Sequence, residues 1–80
     1  MPRFYFNILD GAADLDLEGT ELPNLAEAKR EARRFAGARL SDSALMSDPD
    51  EEWQVEVIDA SGLVLFRIDV TTMNAPTIAR

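Results

Sequence analysis

The sequence predicts a two-layer α+β fold in which one amphipathic helix packs on a three- to four-stranded, mainly antiparallel sheet. An aromatic, strand-like segment opens the chain, and a basic segment with helical apolar spacing follows it. Two alternating apolar segments with a turn between them come last. A helix with one apolar stripe needs a sheet face to cover it. We therefore expect the three strand-like segments to form one sheet and the helix to pack on it. We expect a single domain over residues 1–72 and a loosely ordered tail over residues 73–80.

The composition of the 80 residues narrows the possible chemistry. The chain has no cysteine, so it forms no disulfide, and no histidine, which removes the usual general base and transition-metal ligand. No apolar run reaches the ~18–20 residues of a membrane span. The start is too short and polar for a signal peptide. We therefore expect a cytoplasmic protein that is not an enzyme and holds no cofactor.

The first segment, residues 4–9, is rich in aromatic and branched residues and predicts a strand. Asp10-Gly11 then signals a turn. Leu15 and Leu17 alternate with acidic residues, which indicates a short second strand with one apolar face.

The helix is predicted to begin after Asn24, a good N-cap, and to run to about residues 42–45. Gly37 either ends it or permits close packing against the sheet. Its apolar stripe contains six residues at spacings of three and four. These are Leu25, Ala28, Ala32, Phe35, Ala36 and Leu40.

Residues 53–59 and 64–71 are predicted to form a hairpin with Ser61-Gly62 as a two-residue turn. This register makes one face uniformly apolar and sets Glu56 opposite Arg67. The simplest antiparallel order places the 64–71 strand in the middle of the sheet. The expected cross-strand pairs are Val57 with Phe66, Val55 with Ile68, Trp53 with Val70, and Ile58 with Leu65.

Two charged features raise functional alternatives in a chain of net charge −7. One is an acidic segment, residues 10–18, that suggests a weak divalent-metal site, although its spacing misses the EF-hand pattern. A charged edge strand that discourages edge-to-edge pairing explains it better, and the acidic run at residues 48–52 fits a solvated loop. The carboxylates of the first segment are Asp10, Asp14, Asp16 and Glu18.

The other feature is the basic helix, where Arg30, Arg33 and Arg34 suggest a regulatory nucleic-acid binder or an acidic protein partner. The acidic balance of the whole chain makes nucleic acid the weaker alternative, and the solvent face of an amphipathic helix explains the cations more simply. Ser41 to Ser43 lack a base to activate a nucleophile, so we interpret them as helix-end polarity.

The sheet face turned away from the helix gives the leading hypothesis. Tyr5, Leu9, Ile58 and Leu65 are predicted to form an apolar patch there. Such patches often mark association surfaces. We expect a protein-interaction or self-associating module, a homodimer formed through this face or through a sheet edge, or one bound to another protein.

Two motifs carry a resemblance to a known family: the start MPRFYF at residues 1–6 and the junction EGTELPNL at residues 18–25. With the later strand pattern, they resemble a family of short bacterial proteins, frequent in alphaproteobacteria, that is classed as a domain of unknown function. The resemblance supports the fold over residues 1 to about 70 and implies no catalytic or binding residues. The chain departs from the family in its longer helix exit, rich in serine and aspartate.

Overall fold

The computed structural model describes residues 1–43 and 51–73 and has the predicted α+β architecture, with one helix packed on an antiparallel sheet. In chain order the elements are β1 (Arg3–Leu9), β2 (Ala13–Asp14), β3 (Thr20–Glu21), α1 (Leu25–Ser43), β4 (Glu51–Ile58) and β5 (Val64–Thr72). The sheet order is β2-β1-β4-β5, and β3 also pairs with β1. Residues 48–50 of the predicted acidic loop, the helix end beyond residue 43 and the tail from residue 74 lie outside the described residues. The loop prediction is wrong for the last two residues of the acidic run, because Glu51 and Glu52 begin β4 and pair with β5.

The central strand is β4, so the prediction that the 64–71 strand lies in the middle is wrong. Trp53, Val55 and Val57 of β4 are at most 1% exposed because strands cover them on both sides and α1 covers them from above. Both hairpin strands alternate apolar and polar residues, and alternation alone does not distinguish a central strand from an edge strand.

The hairpin register is confirmed along most of its length, with Val57 opposite Phe66 and Glu56 opposite Arg67. It shifts at the next residue, so that Ile58 opposes Val64 rather than Leu65. The cause is the turn, which is longer than the two residues expected. The Gly62 amide donates to the Asp59 carbonyl at 3.0 Å, and Gly62 has a φ of +91°.

Helix α1 begins as expected, because the side-chain oxygen of Asn24 accepts the Glu27 amide at 2.9 Å. The helix lies mainly over β4 and β5 and contacts them through three small residues, which allow a close approach. Gly37 neither ends the helix nor packs against the sheet, because nothing lies within 4 Å of a Cβ built there. The buried contact residues are Ala28, Ala32 and Ala36.

Candidate functional site

The outer edge of β1 is covered by an interrupted strand. Two short bridges pair with it, β2 beside Ile8 and Leu9, and β3 beside Arg3 and Phe4. The register differs by two residues between the bridges. Five residues, Leu15–Gly19, therefore run beside the three residues Tyr5–Asn7 and bulge from the sheet. We call Leu15–Gly19 the edge loop.

The side chain of Asp16 holds the edge loop against β1. One carboxylate oxygen accepts the backbone amide of Phe6 at 3.1 Å, and the other accepts the amides of Glu18 and Gly19 at 3.1 and 3.0 Å. The Asp16 amide in turn donates to the side-chain oxygen of Asn7 at 2.9 Å. The Asn7 side chain, buried on the sheet, thereby has a partner, and an edge amide of β1 is satisfied without a neighbouring strand.

The electrostatics of Asp16 follow from these bonds. Burial acts to raise the pKa of Asp16, but the amide hydrogen bonds from Gly19, Phe6 and Glu18, together with the nearby Arg3 guanidinium, lower it below its usual value. The side chain is therefore held as a carboxylate and acts as a structural acceptor.

The two leucines of the edge loop do not form the predicted apolar strand face. Leu15 is 55% exposed and Leu17 is 87% exposed. The alternating pattern predicted a strand here and was wrong, because the Asp16 carboxylate takes the position that backbone pairing would occupy. The leucines are left on the surface of the loop.

A groove with a volume of about 490 Å³ lies between the edge loop and α1. Phe6 and Ile8 of β1 contribute to its apolar lining, with Leu15 of the loop and Phe35 of the helix. The rings of Phe6 and Phe35 are 6.0 Å apart and tilted, and Phe35 stays 43% exposed. The groove exists because α1 lies over β4 and β5 and leaves the β1 side of the sheet less covered.

The charges around the groove are all negative. Four carboxylates line it together with the apolar residues, and no lysine or arginine of the described chain does. Asp14 and Glu18 form no ion pair within residues 1–43 and 51–73, whereas Glu31 pairs with Arg34 at 2.9 Å on the exposed helix surface. The lining carboxylates are Asp14, Asp16, Glu18 and Glu31.

The acidic residues of the 10–18 segment are not gathered round one point. Asp10 forms an ion pair with Arg39 of the helix, and Asp16 is bonded to backbone amides. In the part of the chain that the structure describes, no group of three or more acidic side chains is arranged to hold a metal ion.

The cations of the helix are engaged within the chain. Arg30 pairs with Glu27 at 2.7 Å, and Arg34 pairs with Glu31 as given above. Arg33 and Lys29 both lie over the ring of Phe66, 5.7 and 5.4 Å from its centre. Each arginine of the predicted basic face therefore contacts a carboxylate or an aromatic ring.

Of the four residues of the predicted open-face patch, the structure keeps Tyr5 and Ile58 together as cross-strand partners and places Leu9 and Leu65 apart from them. Tyr5, Leu9 and Ile58 are half-buried on that face, while Leu65 packs against the core cluster beside the register shift. The Glu56–Arg67 pair lies between the two ends of the patch. Tyr5 and Ile58 line one shallow hollow with Leu17, and Leu9 lines another.

Comparison with known proteins identifies the family of this chain. The model of a domain of unknown function, DUF6894, matches residues 3–71. The chain belongs to the DUF6894 family. No curated protein and no solved structure matches it.

Sequence reasoning missed the helix side of the groove. Phe35 belongs to the predicted core stripe, and only the position of α1 over the sheet brings it and Glu31 opposite the edge loop. The two Asp-Leu steps of residues 14–17 were the available signal, since acidic and apolar side chains alternate there. Within the described ranges no helix is long and apolar enough to cross a membrane.

Proposed function

We propose that the chain is a non-enzymatic, cytoplasmic protein-interaction module whose groove binds a partner segment that carries a basic side chain beside an apolar one. The observation that carries the proposal is the lining of the groove, in which the exposed Phe35 and Leu15 lie among four carboxylates and no lysine or arginine of the described residues takes part.

The apolar part of the groove supplies the affinity. Phe35 and Leu15 together expose apolar surface that a monomer leaves in water, and covering such surface contributes about 25 cal/mol per Å². A leucine, isoleucine or methionine side chain of a partner fits a cleft of this size between two side-chain walls.

The carboxylates supply the selectivity. Asp14 and Glu18 on the loop side and Glu31 on the helix side give a lysine or arginine of the partner several acceptors. An acidic segment is repelled by the same groups. The partner is therefore a basic and apolar protein segment, and the aliphatic stem of its cation also covers apolar surface.

The same groups support a binding rather than a catalytic role. Asp16 is committed to three backbone amides, and its lowered pKa opposes protonation, which a general acid requires. The chain has no histidine or cysteine to complete a nucleophilic pair.

The test is a titration of the ¹⁵N-labelled full chain with a capped peptide of alternating leucine and arginine, followed by amide chemical shifts. We expect the largest shifts at Leu15, Glu18, Gly19 and Phe35, and none with a peptide in which glutamate replaces arginine. Glu18→Lys weakens binding about tenfold, because it converts an attraction into a repulsion.

Glu52→Lys is the matched control, because Glu52 is exposed and lies outside the groove. This substitution changes the net charge by the same amount as Glu18→Lys. Binding that Glu18→Lys and Glu52→Lys reduce equally indicates attraction by net charge alone and contradicts the groove. Shifts confined to the open sheet face also contradict it.

The nucleic-acid alternative has no observation of its own in its favour. It requires free cations on the helix, and Arg30, Arg33 and Arg34 each contact a carboxylate or a ring. A band shift with DNA or RNA at low salt that Arg33→Glu abolishes is the result that restores it.

A further inference from the structure

The outer side of β5 is a sheet edge without a neighbouring strand among residues 1–43 and 51–73. β4 pairs with one side of β5, and no strand of the described chain pairs with the other. β5 contains nine residues and no proline. An edge of this length presents a row of unpaired backbone N–H and C=O groups, which another strand can extend. The opposite edge of the sheet is covered by β2, β3 and the edge loop.

We propose that two copies of the chain pair antiparallel through β5, with the two-fold axis at Ile68. Residues equally distant from the axis on its two sides then face each other across the new ladder. Arg67 of each copy faces Asp69 of the other, so two opposite-charge pairs form on the open face of the joined sheet.

The charges of β5 select this register. An axis at Arg67 places Arg67 opposite Arg67 of the second copy. An axis at Asp69 places the two Asp69 carboxylates opposite each other. Like charges directly opposite are destabilising. An axis at Phe66 or Val70 leaves both charged residues without an oppositely charged neighbour. Among axes at residues 66–70, only Ile68 pairs both charges.

The apolar side of β5 agrees with the same register. Phe66, Ile68 and Val70 face the helix layer but are only half-buried, whereas the residues opposite them on β4 are at most 1% exposed. In the proposed pair, Ile68 meets its own copy and Phe66 meets Val70 of the second copy. Edge pairing thus covers the side of the apolar layer that the single chain leaves open.

Arg67 and Asp69 already form an ion pair with each other within one chain. Arg67 Nε lies 3.0 Å from Asp69 Oδ1, and both side chains are about half exposed at 51% and 55%. An exposed pair of this kind adds little to the stability of the monomer. Two such pairs side by side form a square of alternating charge, in which every charge has two opposite neighbours.

The test uses two charge-reversal variants and their mixture. We expect the wild-type chain to sediment at twice its 8.9 kDa mass at high micromolar concentration. Arg67→Asp and Asp69→Arg alone each dimerise at least about tenfold more weakly, because each places like charges opposite one another. Mixed in equal amounts, they form a heterodimer of about wild-type affinity, since residue 67 of each then meets an opposite charge at residue 69 of the other.

The mixture isolates the contact between chains, because the pair within each chain stays broken in both variants. Circular dichroism confirms that each variant is folded. Asp42→Arg, an exposed helix change of equal charge, is the control and leaves the dimer unchanged. A wild-type monomer at high micromolar concentration overturns the proposal, as does a mixture that associates no more strongly than the variants alone.

A cross-link tests the register if a charge variant fails to fold. The chain has no cysteine, so Ile68→Cys provides one thiol per copy. Opposite Cα atoms in an antiparallel pair are about 4.5–5.5 Å apart, within the range of a disulfide. We expect an oxidised dimer from Ile68→Cys and none from Thr72→Cys, whose copies lie about 27 Å apart in this register. Equal cross-linking of both overturns the register.

Discussion

The carboxylate of Asp16 accepts the backbone amide of Phe6 at 3.1 Å, across ten residues of sequence. The bond lies where the strand beside β1 is interrupted by the five residues of the edge loop. A side-chain oxygen thereby replaces a backbone carbonyl as the acceptor, and the loop presents Leu15 to the groove.

Replacement of Asp16 is expected to destabilise the fold. Asp16→Ala leaves the amides of Phe6, Glu18 and Gly19 without their acceptor and lowers the free energy of unfolding by about 1–3 kcal/mol. Urea denaturation measures the change. Asp14→Ala, an exposed neighbour without an ion pair in the described residues, changes it by less than about 0.5 kcal/mol. Equal losses argue against the amide bonds as the cause.

The same carboxylate predicts a dependence of stability on pH. The pKa of Asp16 is lower in the folded chain than its ordinary value of 3.8, so the folded state binds this proton less readily than the unfolded state. Its contribution is therefore complete above about pH 4 and is lost as the pH falls through the folded pKa. We expect the urea midpoint of the wild type to fall more steeply below pH 4 than that of Asp16→Asn. Parallel curves contradict this assignment.

Gly19 is predicted to be the least replaceable glycine. Its φ is +75°, and a Cβ there lies 2.8 Å from Arg3 Cγ and 2.9 Å from Tyr5 Cε2. Gly19→Ala destabilises by about 1–3 kcal/mol, from strain and crowding together. Gly37→Ala in the open helix surface stabilises by about 0.5–1 kcal/mol. Thermal melts of both variants test the contrast. Gly11→Ala, with a φ of +93° and open space, measures the strain alone.

The buried alanines of α1 are predicted not to tolerate larger side chains. Ala32 is fully buried between α1 and the sheet. Ala32→Leu therefore destabilises by about 1–3 kcal/mol through overpacking. Ala38→Leu on the exposed side of the same helix is the control and changes the stability by less than about 0.5 kcal/mol. A tolerated leucine at position 32 shows that the helix shifts away from the sheet.

Calcium is predicted not to stabilise the chain. Asp10 is paired with Arg39, and the oxygens of Asp16 are bonded to amides, so the acidic segment does not offer a set of free ligands. We expect equal melting temperatures in millimolar calcium and in chelator. A rise of several degrees with calcium, lost in Asp14→Ala, restores the metal hypothesis.

The sequence predicts local features of this fold better than its global arrangement. The cap at Asn24 and the pairing of Val57 with Phe66 depend on neighbours in sequence and on a two-residue period, and both are confirmed. The order of strands depends on contacts between distant segments, and there β4 rather than β5 is central. The shift at Ile58 arises from turn geometry that the Ser-Gly pair does not specify.

The groove could not be predicted from the sequence for the same reason. Leu15 and Leu17 have the alternation of a strand, but Asp16 between them accepts three backbone amides and holds the segment as a loop. Nothing local marks an aspartate as an acceptor for an amide ten residues earlier. Phe35 has helical spacing with the core, and its partial exposure follows only from the placement of α1.

The covered edge at β1 also limits how far copies can assemble. A sheet with two open sides polymerises, because every subunit that joins brings a fresh site for the next and a fibre results. Here the side beside β1 is already occupied by β2, β3 and the Asp16 carboxylate. In the proposed pairing, addition at β5 therefore ends after one partner, and a closed dimer forms rather than a fibre.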